Sequence, residues 1–112
     1  MNQPKKTIFK TELRTEYAKD DFSEFHKATI RQAFKDGDAE MGKTLEAEDL
    51  EFVQNGYTHK VEVFGFDGGG HTRCHFPIDI EYIGNIKDYL ADRLVGHQYD
   101  PVAWKLFELK AG

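Results

Sequence analysis

Cysteine and proline are scarce in this chain, with one cysteine and three prolines among 112 residues. Because Cys74 is alone, no disulfide can form within the chain and a thiolate-rich metal site is excluded, so we expect neither a metal nor another cofactor. A reducing, cytoplasmic setting is the simplest interpretation of a lone cysteine. Long hydrophobic runs are also absent, and no apolar stretch follows Lys5 and Lys6, so the sequence predicts neither a signal peptide nor a membrane span.

The chain does contain enough apolar residues for one core. Hydrophobic residues make up 39% of the sequence and include nine phenylalanines and five tyrosines. A chain of this length buries on the order of two thirds of its unfolded surface, which suffices for folding without disulfides. We therefore predict a single domain over residues 1–112, with a flexible tail over residues 1–6.

Negative charge is concentrated in the middle of the chain. The net charge is −5, and residues 36–51 contain seven acidic residues against one lysine. We predict an acidic, mobile connection over residues 37–48, with a short helix from Thr44 or an early start of the next strand as alternatives for its later part. Such a segment repels a phosphate backbone and attracts a basic partner, although a solvated loop that keeps the protein monomeric also explains it. The candidate docking residues are Glu46, Glu48, Asp49 and Glu51.

Two glycine turns divide residues 50–82 into three runs of alternating residues. Asn55-Gly56 predicts the first hairpin, and the segment Asp67 to Gly70 predicts the second. In this register Val63 lies opposite Cys74, and the side chains separate into two faces. The apolar face consists of Leu50, Phe52, Val61, Val63, Cys74, Phe76, Ile78, Ile80 and Tyr82. The other face, polar apart from two phenylalanines, consists of Glu51, Lys60, Glu62, Phe64, Phe66, His71, Arg73, His75, Asp79 and Glu81.

The residues before this meander predict a strand and a helix. Residues 7–17 alternate strictly and are rich in threonine and aromatic residues, which favours a strand. A wide apolar stripe then predicts a helix over residues 21–36. Asp21 and Glu24 form a capping-box pattern at its start, and Gly37 is a helix stop. We expect this helix to lie across the apolar face of the sheet.

The residues after the second hairpin predict an edge strand and two helices. Pro77 has no N–H to donate, which makes Thr72 to Tyr82 a sheet edge. A second helix is expected from Ile86 to about Val95. Asp100-Pro101 then begins a short third helix, with a final strand from Val102 to Leu109 as the alternative. The order β-α-β-β-β-α-α predicts an α+β, two-layer sandwich, in which helices pack on one face of a mostly antiparallel sheet of three or four strands.

Histidine and cysteine at residues 71–75 suggest a metal site, but strand geometry argues against it. His71 and His75 share a face whereas Cys74 points into the core, and the two histidines lie roughly 13 Å apart along the strand. We therefore predict no metal site, and interpret Glu62 and His75 as a cross-strand charge pair. Local spacing places no nucleophile beside a histidine base, so we predict no catalytic residue and favour a protein without catalysis.

The leading functional hypothesis is binding to another protein, as an inhibitor, an adaptor or an immunity-type protein, or to a second copy in a homodimer. It depends on the predicted edge strand, the acidic segment and an aromatic patch on the outer sheet face. The partner-binding candidates on that face are Phe64, Phe66, His71, Arg73 and His75.

Two alternatives stay open. A small-ligand or enzyme site between sheet and helices is the first, with His59, Tyr82, Tyr89 and His97 as the pocket candidates. Single-stranded nucleic acid stacking on the outer aromatic face is the second. The net charge of −5 argues against nucleic acid as a partner.

Overall fold

The computed structural model describes residues 8–67, 70–94 and 99–111. Its regular elements, in chain order, are β1 (Ile8–Tyr17), α1 (Glu24–Gln54), β2 (His59–Asp67), β3 (Gly70–Ile78), a 3-10 turn (Ile80–Tyr82), α2 (Ile86–Arg93) and β4 (Tyr99–Ala111). The predicted α+β class is confirmed, with one long helix, one short helix and an antiparallel sheet of four strands. The predicted tail at residues 1–6 lies outside the described residues.

The strands lie in the order β1-β4-β2-β3, so β4 occupies the middle of the sheet next to both β1 and β2. The predicted hairpin between β2 and β3 is confirmed, with Val63 opposite Cys74 and Phe64 opposite Arg73. β3 is an edge strand, as Pro77 predicts, and β1 forms the other edge. Within the described ranges, no helix is both long and apolar enough to cross a membrane.

The first predicted hairpin is wrong, because residues 50–54 are the last turn of α1. Gly56 has a φ of 92° and its N–H donates to the carbonyl of Val53 at 3.0 Å, so Asn55-Gly56 ends the helix. A left-handed glycine serves a helix end as well as a hairpin, and the local sequence does not distinguish them.

The acidic connection predicted over residues 37–48 is also part of α1, which runs for 31 residues. The Ser23 side chain, rather than Asp21, caps the helix by accepting a hydrogen bond from the N–H of His26 at 3.1 Å. Gly37 does not stop the helix. The buried positions in its second half are Leu45 and Asp49, four residues apart. A charged residue at a buried position hides the apolar periodicity that identifies a helix.

The C-terminal segment forms β4, so the alternative of a final strand is the right one and the third helix is wrong. β4 is buried from Val102 to Trp104 and again at Leu106, Phe107 and Leu109. A strand covered on both faces loses the alternation of a half-exposed strand, and its apolar run then resembles a helix. The third strand of the predicted meander also ends early, at Ile78, before the 3-10 turn.

Helices cover both faces of the sheet, whereas we expected them on one face. On the apolar face, Ile86 and Leu90 of α2 pack against Val61, Val63, Ile78, Trp104 and Leu106. The long helix α1 lies on the opposite face, where Ile30 and Phe34 pack against Val102 and Ala103. The predicted position of the first helix is therefore wrong. The β2–β3 face that the sequence marks as polar is the one that α1 covers.

Candidate functional site

An ion cluster fills the space between α1 and the polar face of the sheet. Lys60, Glu62 and Asp49 are 0%, 1% and 3% exposed. Charged side chains are almost never buried to this extent unless they are paired, and isolating them from water is costly even then. Three such residues together in a chain of this size mark the cluster as a candidate functional site.

Glu62 is the centre of the cluster. Its Oε2 accepts hydrogen bonds from Lys10 at 2.8 Å and Lys60 at 2.9 Å, and its Oε1 accepts from Arg73 Nη2 at 2.7 Å. Burial alone would raise the pKa of Glu62, but Lys60 and Lys10 outweigh it and lower that pKa from 4.5 to about 2. The carboxylate is therefore ionised in the folded protein well below neutral pH.

The helix α1 contributes three carboxylates to the cluster. Asp49 accepts from Lys60 Nζ at 2.5 Å, and Asp38 accepts from Arg73 Nη2 at 3.2 Å. Glu48 pairs with Nε2 of His75, whose Nδ1 lies 3.3 Å from Lys60 Nζ. The predicted pair of Glu62 and His75 is not formed, although the two residues are opposite in register, because each has nearer partners.

Gly37 makes room for the guanidinium of Arg73. A Cβ at this position would lie 1.8 Å from Nη1 of Arg73. The same Nη1 donates to the carbonyl of Phe34 at 3.0 Å, and the guanidinium stacks 5.1 Å from the centre of the Phe34 ring. This glycine is thus required for close packing of a side chain on the helix backbone, not for a turn.

A cavity of about 240 Å³ opens beside the cluster, between α1 and β3. Its lining residues are Met41, Leu45, Glu48, Glu62, Arg73, Cys74 and His75. Carboxylates, an imidazole and a guanidinium therefore converge on one concave space, which is the arrangement that a site for a small polar ligand needs.

The predicted partner-binding face is largely covered. Phe64 packs against Phe34 of α1 with 6.1 Å between ring centres, and Arg73 and His75 lie beneath the same helix. Phe66 is exposed, and the side chain of His71 lies outside the described part of the chain. The nucleic-acid hypothesis required this face to be open, and its covering by α1 removes the observation on which that hypothesis depended.

The predicted acidic docking residues separate into two pairs. Glu46 and Glu51 are exposed on α1. Glu48 and Asp49 instead point towards the sheet and bind His75 and Lys60. Half of the predicted acidic surface is therefore used inside the protein.

Two of the four predicted pocket residues come together. The rings of Tyr82 and Tyr89 lie 5.4 Å apart. His59 is buried in the sheet and its Nδ1 lies 2.8 Å from the hydroxyl of Thr58, whereas His97 is outside the described residues. The predicted pocket with two histidines is not formed by the residues that the structure describes.

The two tyrosines line a shallow groove of about 440 Å³ between the 3-10 turn and α2. We call it the acidic tyrosine groove, and its lining residues are Glu81, Tyr82, Asn85, Asp88, Tyr89, Asp92 and Arg93. The hydroxyl of Tyr89 donates to the carbonyl of Pro77 at 2.9 Å, which fixes this ring against the end of β3. Next to the groove, Ile80 is 63% exposed, and Tyr82 is 44% exposed.

Nearby carboxylates dominate the electrostatics of this groove. The pKa of Tyr82 is raised, chiefly by the charge of Glu81 and a hydrogen bond to it, with further contributions from Asp79 and Asp92. The pKa of Tyr89 is also raised, chiefly by burial. A hydroxyl whose ionisation is opposed by surrounding negative charge reports a negative potential, which favours a cationic ligand.

No protein-family model, curated protein or solved structure matches this chain. Among the residues that the structure describes, no three His, Cys, Asp or Glu side chains are arranged to hold a metal ion. Sequence reasoning names Arg73 and His75 of the ion cluster, and Tyr82 and Tyr89 of the groove, as candidates, but it misses the buried charges of the cluster and the carboxylates of the groove. The available signals were the alternation of Lys60 and Glu62 within an apolar strand, and acidic residues on both sides of Tyr82 and Tyr89.

Proposed function

We propose that this protein acts by binding another protein, and that a basic segment of the partner docks in the acidic tyrosine groove. The observation that carries this proposal is the pair Ile80 and Tyr82, two large and exposed side chains beside a ring of carboxylates. Tyrosine is enriched among the residues that dominate binding energy at interfaces. A lysine or arginine of a partner can contact the face of such a ring and a carboxylate at the same time.

Charge supports the same kind of partner. The protein has a net charge of −5, and the lining of the groove is itself acidic, with Glu81, Asp88 and Asp92 against Arg93. Complementary charge speeds association and excludes partners of the same sign. An inhibitor, an adaptor or an immunity-type protein would use such a surface, and the lone Cys74 is the support for placing it in the cytoplasm.

We place the interaction on the groove and not on the β1 edge. The pairing of β1 with β4 shifts register between Glu12 and Arg14, which leaves Leu13 as a bulge. Bulges and alternating charges are features that protect an edge strand from pairing with another chain. A homodimer through this edge is therefore a weaker proposal than a groove that receives a basic segment.

A small-ligand function is the second candidate, favoured by the 240 Å³ cavity beside the ion cluster. Its polar groups are Glu48, Glu62, Arg73 and His75, and its apolar wall includes Met41 and Leu45. This site differs from the predicted pocket, and it shares no lining residue with the acidic tyrosine groove. The two proposals can therefore be tested separately.

The test of the groove is fluorescence anisotropy with a labelled oligolysine peptide, and with oligoglutamate as the control of opposite charge. We expect the protein to bind oligolysine, with an affinity that falls as salt is added. Tyr82→Ala should weaken binding about tenfold, and Asp92→Asn should weaken it several-fold.

The matched controls are Phe25→Ala and Glu40→Gln, which remove an exposed aromatic ring and an exposed carboxylate from α1. Both controls should bind oligolysine as the wild type does. If oligolysine does not bind at low salt, or if the control variants weaken binding as much as Tyr82→Ala does, the groove is not the binding site.

A further inference from the structure

We infer that the second half of α1, residues 43–54, opens from the sheet as a unit while the first half stays docked, and that ion pairs hold it closed. The two halves of the helix contact the sheet by different means. In the first half, Ile30 and Phe34 are buried against Val102 and Ala103. Such apolar packing is lost only with the core itself.

The second half has little apolar packing. Within residues 43–54 the buried side chains are Leu45 and Asp49, and Asp49 is charged. The other specific contacts of this half are the pair of Glu48 with His75 and the ring of Phe52, which lies 5.1 Å from that of His75. Segments with few buried apolar contacts are the ones that open locally at low free energy.

A glycine lies at the boundary between the halves. Gly42 is inside α1, and no described atom lies within 4 Å of where its Cβ would be. Glycine weakens a helix interior relative to alanine, and nothing in the surroundings requires glycine here. Gly37 lies earlier in the helix, and the guanidinium of Arg73 fills the space beside it, so Gly37 stays with the docked half. The hinge is therefore placed at Gly42.

Opening would uncover the two side chains of the sheet that the second half of the helix binds. They are Lys60 of β2, which binds Asp49, and His75 of β3, which binds Glu48. Opening breaks these two contacts of α1, whereas the partners of Glu62, which are Lys10, Lys60 and Arg73, all stay beside it on the sheet.

The test is hydrogen exchange of the full chain at neutral pH, followed by mass spectrometry. Peptides from residues 43–54 should be less protected than peptides from residues 24–36. Gly42→Ala should raise protection of residues 43–54 about fourfold and leave residues 24–36 unchanged.

Gly84→Ala is the matched control, because Gly84 also has no described atom within 4 Å of its Cβ position and lies outside α1. It should leave the protection of α1 unchanged. Asp49→Asn, which removes the charge and keeps the shape, should lower protection in residues 43–54 alone. Equal protection of the two halves of α1, with a ratio that Gly42→Ala does not change, would show that α1 opens only as a whole and would overturn the inference.

Discussion

Glu62→Gln should make the stability of the protein less sensitive to acid. In the folded state the pKa of Glu62 is about 2, against an ordinary value of 4.5, because Lys60 and Lys10 outweigh burial. A carboxylate whose pKa is lowered by folding stabilises the folded state fully above about pH 4.5, and this contribution is lost as the pH falls towards 2. The full contribution of the ionised form is about 3 kcal/mol, and about 2 kcal/mol of it is lost between about pH 7 and about pH 3.

The assay is urea unfolding of the wild type and of Glu62→Gln over this pH range. At neutral pH the variant should be less stable by about 3 kcal/mol, because Lys60 stays buried with one partner fewer. The difference in unfolding free energy between the wild type and the variant should narrow by about 2 kcal/mol at about pH 3, because glutamine does not titrate. Glu40→Gln on the exposed side of α1 should follow the wild type. A free-energy difference that stays constant with pH would refute the assignment of Glu62 as the ionised centre of the cluster.

Four substitutions in and next to α1 test its packing and its cap. Gly37→Ala should lower stability by about 1–2 kcal/mol in thermal unfolding, because its Cβ displaces the guanidinium of Arg73, whereas Gly42→Ala should raise stability by about 0.5–1 kcal/mol. Phe34→Ala should lower the free energy of unfolding by about 3–5 kcal/mol in urea, because it removes the buried ring that packs beneath the first half of the helix. Ser23→Ala should cost about 1 kcal/mol and fray the start of α1 in hydrogen exchange.

The parts of the fold that the sequence predicts correctly are those determined by local signals. The β2–β3 register follows from the alternation on both sides of the Asp67 to Gly70 turn. It is correct from the pair of His59 and Ile78 to the pair of Asp67 and Gly70. The predicted N-cap of α1 lies two residues too early, because Asp21 and Ser23 are equally suitable caps.

The parts that the sequence does not predict are those determined by distant contacts. β4 lies between β1 and β2 and is buried on both faces, so its own residues do not show the pleat. The second half of α1 is bound to the sheet through Asp49, which accepts a hydrogen bond from Lys60. In the sequence, where this partner is not visible, an aspartate between Leu45 and Phe52 favours a loop. For the candidate site, the sequence singles out Arg73 and His75 only as partner-binding candidates, because their covering by α1 depends on which face of the sheet the helix takes.

The choice of face follows from the position of β4. This strand brings Trp104 and Leu106 to one side of β2 and Phe107 and Lys105 to the other, so both faces of the central strands need covering. The short helix α2 covers the apolar side with Ile86 and Leu90. The other side carries Lys60 and Glu62 and cannot be covered by an apolar helix without isolating those charges from water. A helix that has apolar residues in its first half and carboxylates in its second half satisfies both requirements. Glu48 and Asp49 of the acidic segment are therefore explained as the complement of the sheet beneath them, and the acidic tyrosine groove is the surface that we propose for a partner.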